Sequence, residues 1–314
     1  MLSLQNFFLF LQCTASQITY FVICRTITHS IQSLIFFKFQ IIFHLLLFSL
    51  FDKMYGAHWE YRDKRLDNWP LMFSIWPTLI LCTLYLYFVY FWGKNFMKDK
   101  KSYEFKGLMN LYNLTQIYGS MYMFINFLKG GWLVDYNLLC QPVVYNSDPS
   151  SKAMLMVSTC YICYLSKLLD LLDTVFFVFR KKNNQITFLH VFHHVSMPIY
   201  AWIEVRWLPG GHETFGPLIN SFIHFLMYTY YFLSSLGPSM QKYLWWKRYL
   251  TQLQMIQFLV VLIKSCLVIF GFVECGYPWQ WSAITAGFMV AFFILFFQFY
   301  VQAYFNKTAN KKLN

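Results

Sequence analysis

Apolar residues run along this chain in long blocks, not in the short alternations of a sheet or the one-sided stripes of a soluble helix. Seven blocks reach the roughly 18 residues or more needed to span a membrane. They cover about 70–93, 108–128, 153–179, 186–203, 215–236, 250–273 and 281–305, each bounded by charges, Gly or Pro. The pattern predicts an all-α membrane protein with about seven transmembrane helices. Two further apolar runs, about 4–24 and 31–51, are interrupted by Arg25, Lys38 and His44. They lack the charged start and small-residue cleavage site of a signal peptide. Met54 precedes the first well-formed block. The chain therefore reads as an N-terminal extension (1–53), either an extra apolar hairpin or an artefact of the gene model, a membrane domain (54–306) and a short tail (307–314).

Composition agrees with this setting. Of the 314 residues, 58% are hydrophobic and only 12% charged, against about 25% charged in a soluble domain. The net charge of +12 would suit nucleic acid if it lined a groove, but the basic residues sit between apolar blocks and so belong to topology. Lys94, Lys98, Lys100, Lys101 and Lys106 follow the first block, and Arg180, Lys181 and Lys182 the third. Lys242, Lys247 and Arg248 follow the fifth, and Lys307, Lys311 and Lys312 lie in the tail. The alternate loops hold only Lys129, Lys152 and Arg206. The basic side and the C-terminus are then cytosolic. Residues 52–67 face the lumen, where their acids and bases cancel.

Six cysteines, Cys13, Cys24, Cys82, Cys160, Cys163 and Cys266, lie in apolar segments and read as small buried hydrophobes. Cys140 and Cys275 fall in lumenal loops, where an oxidising compartment permits a bridge, so a Cys140–Cys275 disulfide is expected.

Polar residues inside apolar blocks are costly and mark candidate sites. In ITFLHVFHHVSMPIYAWI, His190, His193 and His194 fall at i, i+3 and i+4, on one helical face. In SKLLDLLDTVFFVFRKK, Lys167, Asp170, Asp173 and Thr174 again share a face. A structural Lys167–Asp170 pair is one reading. The surplus carboxylate, free to orient a histidine or take a proton, is the other. Asn220, His224, Tyr228 and Tyr231 form a stripe in NSFIHFLMYTYYF, while Tyr230 reads as interfacial packing. In TQLQMIQF, Thr251, Gln254 and Gln257 serve either as interhelical hydrogen-bonding glue or as donors to a bound carbonyl. Lys264 beyond them is either a carboxylate's partner or a snorkelling cation.

The runs KLLDLLDT, HVFHH, NSFIHFLMYTYY and TQLQMIQF resemble the signature boxes of fatty acid elongases, the enzymes that condense very-long-chain acyl-CoA with malonyl-CoA in the endoplasmic reticulum. FFVFRKKNNQ, PGGHETF, YLWWKRYLTQLQMIQF and GGWLVDYNLLCQP are similar to that family too. The likeness runs from about 67 to 304 and leaves out the extension. One position departs: the first box of the family usually carries glutamate where this chain has Asp170, one methylene shorter. The tail Lys311-Lys312-Leu313-Asn314 resembles a dilysine retrieval signal, which implies a multi-pass protein of the endoplasmic reticulum membrane.

The resemblance implies a 3-oxoacyl-CoA synthase, an acyltransferase that makes 3-oxoacyl-CoA, CO2 and CoA, with no cofactor beyond its two CoA substrates. It implies a barrel of six helices around an acyl tunnel. The other enzymes of the elongation cycle become expected partners, while the oligomeric state, including a homo-oligomer, stays open. Residues Arg180, Lys181, Lys182, Lys247 and Arg248 would meet CoA phosphates or merely set topology. Activation of the acyl group takes one of two routes. In the first His193 forms an acyl-imidazole, His190 is an acid–base partner oriented by Asp170 or Asp173, and His194 completes the cluster. His224, Asn220 and Gln254 then donate to the enolate, with Gln257, Tyr228 and Tyr231 lining the substrate. In the second, both substrates bind together and the histidines act as acid and base. Two rivals remain. A desaturase-like di-iron enzyme needs about eight ligands, yet His29, His44, His58 and His212 fall outside the boxes and four histidines remain. A transporter or receptor would show matched broken spans in two halves.

Overall fold

A computed structural model describes residues 62–274 and 276–306. The extension 1–53, Cys275 and the tail 307–314 with Lys307, Lys311 and Lys312 lie outside the described residues. Within them every regular element is helical. Helix α1 spans Trp76–Met97, α2 Lys106–Phe127, α3 Lys152–Leu169, α4 Leu171–Phe179 and α5 Phe188–Trp207. Helix α6 spans Phe215–Ser235, α7 Lys247–Ile269 and α8 Trp279–Tyr300.

Local chemistry explains the helix starts. Ser151 Oγ accepts from Met154 N to cap α3, and Thr187 Oγ1 accepts from His190 N to cap α5. Pro77 stands at the start of α1, where a missing N–H costs nothing. The first helix begins six residues later than the apolar run suggested. Residues 64–72 instead form a turn that buries Leu66 and Met72 completely. The third block is not one rod. It breaks at Asp170 into α3 and α4, and Asp170 O accepts from Asp173 N at 3.2 Å, a tight i+3 turn.

Among the described residues, three helices are long and apolar enough to cross a membrane by length and composition: α1, α7 and α8, the last continuing to Phe305. The blocks behind α2, α3–α4, α5 and α6 fall short by that measure, being broken or carrying the polar residues that make up the candidate site. Large apolar side chains are exposed along the outer faces, among them Leu84, Leu111, Tyr118, Ile256, Ile263 and Phe297. Bare apolar area of this extent suits lipid, not water.

Helix α2 lies along α6 and α3, α3 along α5, α5 beside α8, α8 along α7, and α7 against α6. Helix α1 rests on α5 and meets α4. Two ends are distinguishable. At one end Lys181 Nζ donates to Lys98 O (3.2 Å), Ser235 Oγ donates to Asn110, and Arg248 Nε donates to Tyr300 OH (2.8 Å). At the other, Trp132 Nε1 donates to Thr214 Oγ1 (2.9 Å), and Arg206 ties the turn before α1 to the end of α5. Arg206 reaches Asp67 at 2.5 Å and Asp63 O at 3.2 Å, while Arg62 also holds Asp67 and Arg65 holds Asp63. Both aspartates of this turn are therefore paired, Asp63 with Arg65 and Asp67 with Arg62 and Arg206. The hydrogen bond from Arg206 holds the Asp67 carboxyl below the ordinary carboxylate range.

Of the described cysteines, Cys82, Cys160 and Cys163 are free and buried and Cys266 is free and half-buried, as expected for small apolar fillers. Cys140 is disulfide-bonded; its expected partner Cys275 lies outside the described residues. Lys264 is held at its ammonium group. Its Nζ donates to Leu138 O at 2.5 Å and lies 4.2 Å from the centroid of Phe215 and 4.6 Å from that of Trp132. A carbonyl and two ring faces surround the cation.

Gly211 shows why PGGHETF needs a glycine. Its φ is +70°, and an added Cβ would sit 2.9 Å from Gln141 O and 3.0 Å from Pro142 C. Strain and collision act together, so Gly211→Ala is expected to cost about 1–3 kcal/mol. That corresponds to roughly 5 °C in the melting temperature of detergent-purified protein. An unchanged melt would contradict the close approach of the 141–143 loop.

Candidate functional site

The polar residues converge around the break between α3 and α4. Asp170 is buried there and its two oxygens are shared out. Lys167 Nζ reaches Oδ2 at 3.3 Å, while Gln116 Nε2 (2.7 Å) and Tyr228 OH (3.1 Å) reach Oδ1. Lys167 Nζ also donates to Asn220 Oδ1 at 3.1 Å. A lysine can only donate, so the Asn220 carbonyl faces the cation and its NH2 is turned to other acceptors. Tyr228 OH lies 2.9 Å from Asp173 Oδ2 as well. One phenol hydrogen thus stands between two carboxylates. Buried charge in this environment is tolerable only when paired and hydrogen-bonded, and Lys167, Gln116 and Tyr228 supply that.

The histidines form a second cluster beside the first. On α5, His190, His193, His194 and Met197 are partly accessible, while Val191, Phe192, Val195 and Ser196 are buried. The accessible face is therefore the histidine face. His190 and His194 rings are 4.1 Å apart, His193 and His194 5.6 Å, and His193 lies 5.0 Å from Phe292 of α8.

Hydrogen bonds divide the imidazoles into two kinds. His194 Nδ1 lies 2.8 Å from the Asp170 backbone oxygen. A carbonyl cannot donate, so Nδ1 carries the hydrogen and Nε2 keeps its lone pair. His190 Nε2 lies 2.8 Å from Thr174 Oγ1, which in turn lies 2.6 Å from Tyr85 OH. His193 makes no hydrogen bond to the described residues, and neither does His224, whose ring lies 5.8 Å from that of Tyr228. Two imidazoles are held and two are uncommitted. Among the described residues no three His, Cys, Asp or Glu side chains converge as a metal cage.

One expectation is corrected. Neither carboxylate orients His190; Thr174 does. The Asp170 and Asp173 side chains turn toward α2 and α6, where Lys167, Gln116 and Tyr228 offer charge and donors. Residue 170 meets the histidine cluster through its backbone carbonyl instead. Within the boxes, Lys167, Asp170, Asp173, Asn220 and Tyr228 come together as one network, with His224 beside Tyr228.

The remaining substrate-binding candidates are more scattered. Tyr231 is 41% exposed, its ring set edge-on to those of Tyr228 and Tyr230. Gln254 makes a weak contact with Met227 Sδ at 3.9 Å, and Gln257 is buried. Lys182 and Lys247 are exposed, Arg180 half-buried. Arg248 is drawn onto the Tyr300 hydroxyl and ring. Lys181 has φ +53°, a left-handed residue ending α4. Its N–H donates to Val178 O, and that of Lys182 donates to Phe177 O. All five bases belong to the same end of the molecule.

Gln116, Tyr112 and Tyr85 were absent from the sequence-based expectations. Gln116 belongs to a buried polar stripe on α2, Asn113, Gln116 and Ser120 at i, i+3 and i+7, and that periodicity inside an apolar block was the signal for it.

Comparison with known proteins bears on what this site serves. The family model described as GNS1/SUR4 (ELO) matches residues 70–312. The chain is 43% identical over 234 residues to a very long chain fatty acid elongase of Aedes aegypti, covering 74% of this chain and 64% of that protein's length. It is 42% identical over 235 residues to human very long chain fatty acid elongase 4, covering 74% and 73%. It is 41% identical over 243 residues to mouse very long chain fatty acid elongase 2, covering 77% and 79%.

Proposed function

The chain belongs to the ELO (GNS1/SUR4) family, and from that premise we propose that it elongates fatty acids, joining a long or very long acyl-CoA to malonyl-CoA. The products are a 3-oxoacyl-CoA two carbons longer, CO2 and CoA.

The observation that carries the mechanism is the division of the histidines. A nucleophile must have a nitrogen free of other bonds. His193 meets that requirement, since neither of its ring nitrogens bonds to the described residues, and it sits on the accessible face of α5. Its nitrogen attacks the thioester carbonyl, the C–S bond breaks, and CoA leaves with the imidazole's proton. His194, with Nδ1–H held by the Asp170 carbonyl, presents Nε2 to move that proton. Malonyl-CoA then loses CO2, and the resulting enolate carbon attacks the acyl carbonyl. The C–N bond breaks and the returning imidazolate takes up a proton, so one proton is consumed per cycle. The NH2 of Asn220 and the ring of His224 are the donors for the enolate oxygen. His190, fixed by Thr174, completes the acid–base cluster.

The same reading extends to the surroundings. The helix contacts close a circuit, α2–α3–α5–α8–α7–α6 and back to α2, which supports six helices arranged as a barrel around the acyl chain. Helix α1 lies outside the circuit, and all seven blocks span the membrane. Arg180, Lys181, Lys182, Lys247 and Arg248 at one end receive the CoA phosphates, and that end faces the cytosol of the endoplasmic reticulum membrane. The acyl-CoA, malonyl-CoA and partner enzymes of the cycle meet it there.

The test uses purified protein and a labelled long-chain acyl-CoA without malonyl-CoA. Intact mass spectrometry is expected to show one acyl group, mapped to His193. No adduct, but 3-oxoacyl-CoA once malonyl-CoA is added, would replace the covalent route with a ternary complex. No product across chain lengths would end the elongase reading.

A further inference from the structure

Gln116 is buried and lies on α2, outside all of the histidine and aspartate boxes. Its amide makes the shortest hydrogen bond to the Asp170 carboxylate, 2.7 Å to Oδ1, against 3.1 Å from Tyr228 and 3.3 Å from Lys167. The amide orientation is fixed by chemistry. A carboxylate only accepts, so the nitrogen must face it, and the second N–H donates to Tyr112 OH at 2.9 Å. Tyr112 OH, also on α2, reaches Leu169 O only at 3.5 Å.

We propose that Gln116 is a positioning residue, whose long amide supplies the reach that the short side chain of Asp170 lacks and so fixes the backbone carbonyl that holds His194. Aspartate ends roughly 1.5 Å short of where a glutamate carboxylate would stand. Glutamine, entering from the opposing helix, closes that distance from the other side. With the carboxylate clamped between Lys167 and Gln116, residue 170 cannot rotate, and its carbonyl stays on His194 Nδ1. Without Gln116, Lys167 and Tyr228 still hold the carboxylate, but nothing holds Oδ1 from α2. The His194 tautomer and ring angle then lose one of their supports.

This inference rests on the elongase reading and is tested by side-chain length. Gln116→Leu is expected to lower kcat about tenfold or more, with KM for both CoA substrates within about twofold. Asp170→Glu is expected to impair the wild-type background, where it overfills the site, yet to raise kcat several-fold in the Gln116→Leu background. Opposite signs of one substitution in two backgrounds are not produced by a merely structural amide. Should Gln116→Leu fail to fold, Gln116→Asn carries the test: it keeps the donor, shortens it, and is rescued by the same Asp170→Glu. A wild-type kcat in Gln116→Leu, or no gain in the double variant, overturns the inference alone. Inactive wild-type protein overturns the elongase reading and this inference with it.

Discussion

His193→Ala is expected to abolish condensation, by about 10³-fold or more in kcat, while the protein melts at the wild-type temperature. The two halves of that expectation come from the same observation. His193 makes no hydrogen bond to the described residues, so its removal costs the fold little beyond its ring contacts with Phe292 and His194. For the same reason nothing competes with substrate for its nitrogens. The neighbours should respond differently. His194→Ala loses an imidazole held to the Asp170 carbonyl, and His190→Ala breaks the chain to Thr174 and Tyr85. Both should lower activity and the melting temperature together. Acyl transfer in the absence of malonyl-CoA separates these roles. It is expected to vanish in His193→Ala and to persist, slowed, in His194→Ala. An acylated His193→Ala protein would move the nucleophile elsewhere, with His224, the other uncommitted imidazole, the first place to look.

The residues of this site were legible in the sequence because membrane chemistry makes them conspicuous. A histidine, aspartate or lysine within an apolar block is expensive enough to need a purpose, and helical periodicity gathers such residues onto faces. That reasoning located Lys167, Asp170, Asp173, His190, His193, His194, Asn220, His224 and Tyr228. It failed where the answer depends on the direction in which a side chain leaves the backbone. Asp170 and His190 occupy facing elements, so pairing them was natural. The break at Asp170 turns the carboxylate toward α2 and α6 and leaves only the carbonyl for a histidine. Gln116 is less conspicuous because a neutral amide costs less to bury than a charge. The seven blocks were clear from length, but among the described residues only α1, α7 and α8 are long and apolar enough to cross a membrane. In the others, the polar residues that reveal the site dilute the apolar signal that reveals the span. Lys264 shows the same limit: its partners are a carbonyl and two rings, none readable from spacing.

Lys167→Met is expected to be among the most destabilising single changes in this protein, costing about 3–5 kcal/mol and roughly 10 °C in melting temperature. Both partners are buried, with side chains only 5% and 6% exposed, so removing the cation leaves an uncompensated carboxylate in a poorly solvated interior. Gln116 and Tyr228 still donate to it, but two neutral donors do not replace a charge. The reciprocal change gives the control that separates structure from chemistry. Lys167→Met combined with Asp170→Asn removes both charges, and replacing a buried pair by neutral groups is often close to neutral for stability. The double variant is therefore expected to melt much nearer the wild type than Lys167→Met does. Its activity should nevertheless stay at least tenfold down. Asn220 loses the cation that fixes its amide, and the carbonyl supporting His194 loses the clamped carboxylate beside it. Recovery of stability without activity would assign the pair to the catalytic site. Recovery of both would make it a structural ion pair and no more, with the catalytic burden resting on the four histidines.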